Sequence, residues 1–94
     1  MIRSFKCPDT ERIANDERTG AFSSGVQKVG RRKLALLDTA ASLNDLRSPP
    51  GNRLEKLTGD RAGQHSIRIN DQFRLCFRWI EGDAYDVEIT DYHD

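Results

Sequence analysis

The 94-residue sequence has no apolar stretch that could cross a membrane as a helix, since a spanning helix needs about 18 or more such residues. The first residues also lack the apolar run and the small-residue cleavage site of a signal peptide. We therefore expect a cytoplasmic protein without membrane contacts. At this length we expect one domain, residues 1–94, with a small core.

Cysteine is scarce as well, because the chain contains only Cys7 and Cys76. Two cysteines so far apart in sequence form neither a zinc knuckle nor a C-x-x-C redox motif. In a reducing compartment we expect both to be free thiols, and a disulfide between them is the alternative. No group of residues has the spacing of metal ligands, so the sequence predicts no metal and no other cofactor.

Net charge is also absent, since 15 Lys and Arg balance 15 Asp and Glu. The distribution is nevertheless uneven. Residues 26–80 contain eleven basic and five acidic residues, whereas residues 81–94 contain six acidic residues and no Lys or Arg. A basic middle beside an acidic end can form a positive cleft on a neutral protein. The alternative is that the two blocks pair with each other across a sheet.

The first half of the chain reads as a short strand, a loop and a helix. Ile2–Lys6 is predicted to be a strand, and a helical turn is expected within residues 10–15 of an otherwise irregular loop. Apolar residues at helical spacing then predict a helix that starts at an N-cap at Ser24 and reaches about Ser42. A short turn follows over residues 44–46, and the Pro-Pro-Gly stretch stops regular structure.

The second half reads as β structure. Ser66–Asn70 and Gln72–Ile80 alternate in polarity and are joined by a predicted tight turn at Asn70-Asp71. A last strand runs to about Tyr92, with Tyr85, Val87 and Ile89 expected on one face. The fold class is therefore α+β: an antiparallel sheet, made of the N-terminal strand and this three-stranded meander, covered on one face by one long and one short helix. Phe73, Leu75, Phe77 and Trp79 are predicted to face the core, which leaves an open face that bears Arg68, Arg74 and Arg78.

Several motifs of the chain together resemble one toxin family. They are Leu54-Glu55-Lys56, the pattern L-x-G-D-R-x-G-x-x-S-I-R-I-N over residues 57–70, Phe73-Arg74-Leu75, Tyr85-Asp86-Val87-Glu88-Ile89 and Asp91-Tyr92-His93. Their order and spacing resemble the HigB branch of the RelE/ParE toxin superfamily, from the opening strand to His93. The resemblance implies a RelE-like fold and the toxin of a type II toxin–antitoxin system.

What the resemblance implies about function is specific. Such toxins are ribosome-dependent endoribonucleases that cut mRNA in the A site, and a helix-turn-helix antitoxin neutralises them. The resemblance implies that operator DNA is bound only through the antitoxin complex. It also implies that Asp91, Tyr92, His93 and Arg74 supply the active site. The chain departs from a familiar pattern at Glu55, where relatives have histidine, and at position 65, where His65 replaces a large aromatic residue.

The chemistry of metal-free RNA cleavage assigns roles to these residue types. Attack by the 2′-hydroxyl needs a base, an acid for the 5′-oxygen and cations for the phosphorus. Arg74 suits the phosphate because its planar fork matches phosphate oxygens, and His93 titrates nearest to neutrality. Asp91 is expected to orient His93 or position the hydroxyl, Tyr92 to stack on a base, and Glu55 to act as a possible base. The predicted RNA-binding residues are Arg53, Lys56, Arg68 and Arg78, and the predicted ribosome-binding residues are Lys28, Arg31, Arg32 and Lys33.

Other readings remain open at this point. Arg74 would instead pair with Glu88 or Asp86 if the two charge blocks neutralise each other, and the basic helix residues would then form a solvated surface. The whole chain would be a catalytically inactive module that binds antitoxin or RNA if the departure at Glu55 has removed activity. A third possibility is a gyrase-directed toxin of the same superfamily, although the Asp-Tyr-His ending favours a nuclease.

Overall fold

A computed structural model describes residues 1–91, which form two helices and a four-stranded sheet. The elements in chain order are α1 (Pro8–Ala14), α2 (Ser24–Thr39), β1 (Glu55–Lys56), β2 (Gln64–Arg68), β3 (Arg74–Ile80) and β4 (Asp83–Thr90). Short 3-10 helices lie at Leu43–Arg47, Pro50–Asn52 and Gly59–Arg61. The predicted α+β class is confirmed. Within residues 1–91 no helix has the length and apolarity needed to cross a membrane.

The sheet is antiparallel with the strand order β1-β2-β3-β4. Its two edges differ from the prediction. The N-terminal segment joins β4 through two isolated parallel bridges, at Ile2–Ala84 and Phe5–Val87, instead of forming a regular strand. The opposite edge is the two-residue strand β1, which the sequence did not predict, because two residues are too few to show an alternation of polarity.

The turn between β2 and β3 is longer than the predicted tight turn. Oδ1 of Asn70 accepts hydrogen bonds from the backbone amides of Gln72 at 2.9 Å and Phe73 at 2.7 Å. The side chain of Asn70 therefore closes the turn itself, as asparagine commonly does. As a result β2 ends at Arg68, and β3 starts at Arg74.

The last strand changes phase at Asp86, a position the alternation pattern did not mark. Asp86 has a positive φ of 53°, and the pairing of β3 with β4 shifts register between Cys76 and Arg78. Ala84 is consequently fully buried opposite Trp79, whereas Tyr85 pairs with Arg78. The prediction that Tyr85 shares a face with Val87 was wrong, because a bulge adds a residue to one strand and inverts the pattern beyond it.

Helix α2 covers the apolar face of the sheet. Its N-cap is Ser23, not the predicted Ser24, and the hydroxyl of Ser23 accepts a hydrogen bond from the amide of Val26 at 3.2 Å. The helix ends at Thr39, short of the predicted Ser42. Gly30 permits a close approach, since a Cβ there would lie 2.9 Å from Cδ1 of Ile89. The buried apolar core consists of Ile13, Val26, Leu34, Leu37, Ala40, Leu46, Ile67, Ile69, Leu75, Phe77, Ala84, Val87 and Ile89. Phe73 and Trp79 are partly buried against it.

Candidate active site

The sheet face opposite the helices, called here the open face, carries three rows of mainly polar side chains. Paired residues of neighbouring strands point to the same face, so the register defines each row. The first row contains Gln64, Arg78 and Tyr85; the middle row contains Glu55, Ser66, Cys76 and Glu88; the last row contains Arg68, Arg74 and Thr90. The predicted arginine-bearing face is therefore present, but it is not open throughout, because Gln64, Ser66 and Cys76 are buried.

Arg68 and Arg74 lie directly opposite each other in the last row. Like charges at such a pair of positions destabilise an antiparallel sheet. The guanidinium of Arg74 is turned towards the β2–β3 turn, where Nη1 donates to the carbonyls of Asn70 and, at 3.1 Å, Phe73. Those acceptors are neutral. Among the ion pairs described within residues 1–91, Arg74 pairs with neither Glu88 nor Asp86.

Arg68 forms an ion pair with Asp71, a fully exposed carboxylate three residues further along the chain. The hydrogen bond from Arg68 and the charge of Arg68 lower the pKa of Asp71, and the charges of Arg74 and Arg53 lower it further. An exposed pair of this kind contributes little to stability. Breaking this ion pair therefore costs little free energy.

The other end of the open face contains neutralised arginines. Arg78 pairs with Asp86 at 3.5 Å and lies against Gly63, where a Cβ would be 2.8 Å from Nη1 of Arg78. Arg78 lies four residues from Arg74 along β3, a separation of roughly 13 Å in a strand. Arg78, which was predicted to bind RNA, is thus distant from the row of Arg68 and Arg74.

Arg61 contacts residues of the open face, although the sequence analysis gave it no role. Its Nη1 donates to Glu88 at 2.9 Å and to Oε1 of Gln64 at 3.2 Å, and Lys6 lies 3.9 Å from the same carboxylate. Glu88 is thereby satisfied within the sheet. Arg61 belongs to the Gly-Asp-Arg part of the motif, which marked this residue in the sequence. The motif did not indicate that Arg61 would bind Glu88, 27 residues further along the chain.

Strand β1 divides its two predicted site residues between the faces of the sheet. Glu55 pairs with Ser66 and lies on the open face, diagonal to Arg68, whereas Lys56 pairs with His65 on the side of the helices. The ring of His65 stacks on Phe77 with centroids 6.1 Å apart. Burial, and next the charge of Lys56, lower the pKa of His65. Glu55 rather than Lys56 is therefore close to the arginine row.

The remaining predicted residues lie around the last row or on α2. Arg53 is exposed in a left-handed conformation, with φ of 46°. Asp91 follows β4 and accepts a hydrogen bond from Nε2 of Gln72 at 3.1 Å. Tyr92 and His93 lie outside the described residues.

The four predicted ribosome-binding residues of α2 have different surroundings. Lys28 and Arg32 are exposed. Arg31 forms an ion pair with Asp16 at 2.8 Å, while Lys33 donates a hydrogen bond to Asn52. Lys33 thus contacts the segment that precedes β1, in contrast to the other three.

A model of the HigB-like toxin family, described as the RelE-like toxin of type II toxin-antitoxin system HigB, matches residues 3–93. The chain belongs to this family. Toxin HigB-1 of Vibrio cholerae serotype O1 is 46% identical over 70 residues, which are 74% of each chain. Endoribonuclease HigB of Proteus vulgaris is 34% identical over 94 residues, covering 99% of this chain and 100% of that protein.

Solved structures agree on the fold of this HigB-like toxin. A chain of the heterotetrameric YoeB-YefM toxin-antitoxin complex from Staphylococcus aureus superposes with a TM-score of 0.60. It is 18% identical, and the match covers 100% of this chain and 99% of the other. At that identity the likeness shows the fold alone.

The open face of this family member also carries a thiol that is ill suited to chemistry. Cys76 is fully buried in the middle row, and neither it nor Cys7 forms a disulfide, as predicted. Burial raises the pKa of Cys76 to about 11, and a thiol rather than a thiolate is a poor nucleophile. Across residues 1–91 no group of three or more His, Cys, Asp or Glu is arranged to hold a metal ion.

Proposed function

We propose that this HigB-like toxin is a ribosome-dependent endoribonuclease that cuts mRNA in the A site and so inhibits translation in the cytoplasm. The observation that carries the proposal is the opposed pair of Arg68 and Arg74 on the open face. Two facing cations without a buried carboxylate favour an anion between them. The match over the full length of an endoribonuclease supports RNA as the source of that anion.

The proposed reaction is attack of the 2′-hydroxyl on the adjacent phosphorus. The 2′-oxygen forms a bond to phosphorus, the bond from phosphorus to the 5′-oxygen breaks, and the products are a cyclic phosphate and a 5′-hydroxyl. Charge builds up on the phosphoryl oxygens in the transition state, so fixed cations there accelerate the step. Arg74 is proposed for that role, with Arg68 and Arg53 in support.

Proton transfer is assigned to Glu55 and His93. Glu55 is diagonal to Arg68 on the open face, a Cβ separation of roughly 7–8 Å, and is a candidate base for the 2′-hydroxyl. His93 is the candidate acid or base with a pKa nearest to neutrality. Asp91 would orient His93 or hold the hydroxyl, and Tyr92 would stack on a base. No step of this scheme requires a metal ion.

Membership of the family supports a proposal for the partners. We propose that a helix-turn-helix antitoxin neutralises the chain, and that operator DNA is bound through the complex rather than by the toxin alone. Lys28, Arg31 and Arg32 on α2 are proposed to contact ribosomal RNA, because they lie on the helix surface away from the core.

Primer extension on a defined message tests the proposal. The purified toxin is incubated with that message in the presence and absence of translating ribosomes, and the 5′ ends are mapped. We expect cuts within codons in the presence of ribosomes, and their loss in the His93→Ala protein. An intact message with a folded, growth-arresting protein would contradict the nuclease and point to gyrase or to a binding role.

A further inference from the structure

Lys33 is held differently from the other cations of α2. It is partly buried, and its Nζ donates a hydrogen bond to Oδ1 of Asn52. The acceptor is a neutral amide. In contrast, Arg31 on the same helix pairs with the carboxylate of Asp16. A neutral acceptor fixes the position of Lys33 without cancelling its charge.

Asn52 is built into the fold. It is fully buried, and its Nδ2 donates to the carbonyls of Leu46 and Ser48, both at 3.2 Å. These two bonds determine the orientation of the amide, since its two hydrogens are the donors and its oxygen is the acceptor. The oxygen is consequently directed at Lys33. Such a buried amide with all of its groups bonded is a rigid support for a cation.

The surroundings of Lys33 pack beside the arginine row. The 3-10 helix Pro50–Asn52, which holds Lys33 through Asn52, contacts β2, and a Cβ at Gly30, about one turn before Lys33 on α2, would lie 3.9 Å from Cδ1 of Ile69, the residue after β2. Burial, the charge of Arg32 and the charge of Arg68 each lower the pKa of Lys33. Arg68 in turn is bound to the exposed Asp71. The packing of α2 and of Pro50–Asn52 against the end of β2 thus places Lys33 near the border where Arg68 lies. Bound anions relieve repulsion between gathered cations.

We propose that Lys33, positioned by Asn52, binds a phosphate of the RNA next to the one held by Arg68 and Arg74. This inference rests on the proposed nuclease function and adds a direction to it: the strand runs from the open face past Arg68 towards α2. Lys33 thereby belongs to the message-binding site, whereas Lys28, Arg31 and Arg32 remain on the outer surface of the helix. Asn52 is a positioning residue that acts through Lys33.

The test replaces single phosphates of the message by neutral methylphosphonates, one linkage at a time around the cut. Cleavage on translating ribosomes is measured against toxin concentration for the wild-type protein, Lys33→Met and Lys33→Arg. Lys6→Met is the matched control, because it removes the same charge from an exposed position outside the proposed binding surfaces. Lys33→Gln keeps a donor for Asn52 and serves in place of Lys33→Met if that variant loses thermal stability.

We expect Lys33→Met to raise the half-maximal toxin concentration by about tenfold, as for one charged hydrogen bond, with an unchanged maximal rate. At one linkage, the methylphosphonate should weaken cleavage by the wild-type protein, Lys33→Arg and Lys6→Met by a similar factor. At that linkage it should have no further effect on Lys33→Met, because two changes to one contact are not additive.

Equal linkage effects in Lys33→Met and the wild-type protein at every position would overturn the inference while leaving the nuclease intact. A wild-type protein that leaves the unmodified message uncut would overturn the nuclease proposal, and this inference with it. The two failures are distinguishable because the wild-type reaction is read first.

Discussion

The two ends of the open face contain the same kind of residue in opposite electrostatic states. At one end, Arg61 and Arg78 pair with Glu88 and Asp86, carboxylates that belong to the sheet. At the other end, Arg74 is bonded to backbone carbonyls, and Arg68 is bonded to an exposed carboxylate of the turn. At the first end both arginines pair with carboxylates of the sheet, although the Arg78–Asp86 pair is exposed. At the second end Arg74 has neutral partners, and the carboxylate on Arg68 belongs to the fully exposed Asp71.

This difference shows that the position of an arginine in a sheet does not by itself indicate a binding role. Arg74 and Arg78 lie on one strand and point to one face. Their partners differ because the bulge at Asp86 brings a carboxylate to Arg78, whereas Thr90 is the residue opposite Arg74. A guanidinium without a carboxylate partner retains its full attraction for phosphate.

We expect the largest effect on cleavage from replacing Arg74, at the end of the open face that is proposed to bind RNA. Arg74→Lys keeps the charge but loses the planar fork and the bonds to the turn, so we expect cleavage to fall about 100-fold, comparable to the loss of one transition-state donor. Arg78→Lys is the matched control on the same strand and should retain cleavage within about threefold. Both rates are measured under single-turnover conditions on translating ribosomes. Equal losses in the two variants would remove the distinction between the ends.

Cys76, which lies between the two ends, should make the stability of the protein depend on pH. The pKa of Cys76 is raised from 9.0 to about 11 in the folded protein, so above pH 9 the unfolded chain loses this proton before the native one does. The contribution is complete below pH 9 and is lost as the pH rises towards 11, by about 2–3 kcal/mol. Denaturant titrations of the wild-type protein and Cys76→Ala across this window should show a steeper fall for the wild type. Parallel curves would contradict the burial of the thiol.

Removing one carboxylate from each end should have smaller effects. At one end the change should lower stability, and at the other it should alter RNA affinity. Glu88→Gln weakens the partly buried pair with Arg61 and should lower the free energy of unfolding by about 1–2 kcal/mol, with cleavage per folded molecule unchanged. Asp71→Asn frees Arg68 and should leave stability unaltered, since Asp71 is fully exposed, while improving RNA affinity by about twofold. Chemical denaturation and cleavage titrations measure the two quantities. A destabilised Asp71→Asn protein would contradict the assignment.

The parts of the fold that the sequence predicted are those with local signals. The alternation in β2 and β3 and the helical spacing after Ser23 repeat over several residues, so the strands, the helix and the open face could be derived. Strand β1 and the two bridges of the N-terminal segment depend on pairing with distant partners. The phase change at Asp86 is a one-residue insertion that an alternation pattern cannot place.

The candidate site divides in the same way. Arg68 and Arg74 could be placed on one face because the alternation of a strand assigns each residue to a face. Which cation finds a carboxylate was not predictable, since Arg61 and Glu88 are 27 residues apart and Lys33 and Asn52 are 19 apart. These partners are chosen by the packing of α2 and the loops around the sheet. A sequence shows which charged side chains are present, whereas the fold determines which of them form ion pairs.

The most direct test compares alanine variants of the two ends for cleavage on translating ribosomes, normalised to folded protein. The account predicts that Arg68→Ala and Arg74→Ala reduce the single-turnover rate by about 100-fold or more. Arg78→Ala, at the neutralised end, should cut within about threefold of the wild-type rate. Comparable losses for Arg74→Ala and Arg78→Ala, or undiminished cutting by Arg74→Ala, would contradict the claim that the Arg68–Arg74 end is the active site.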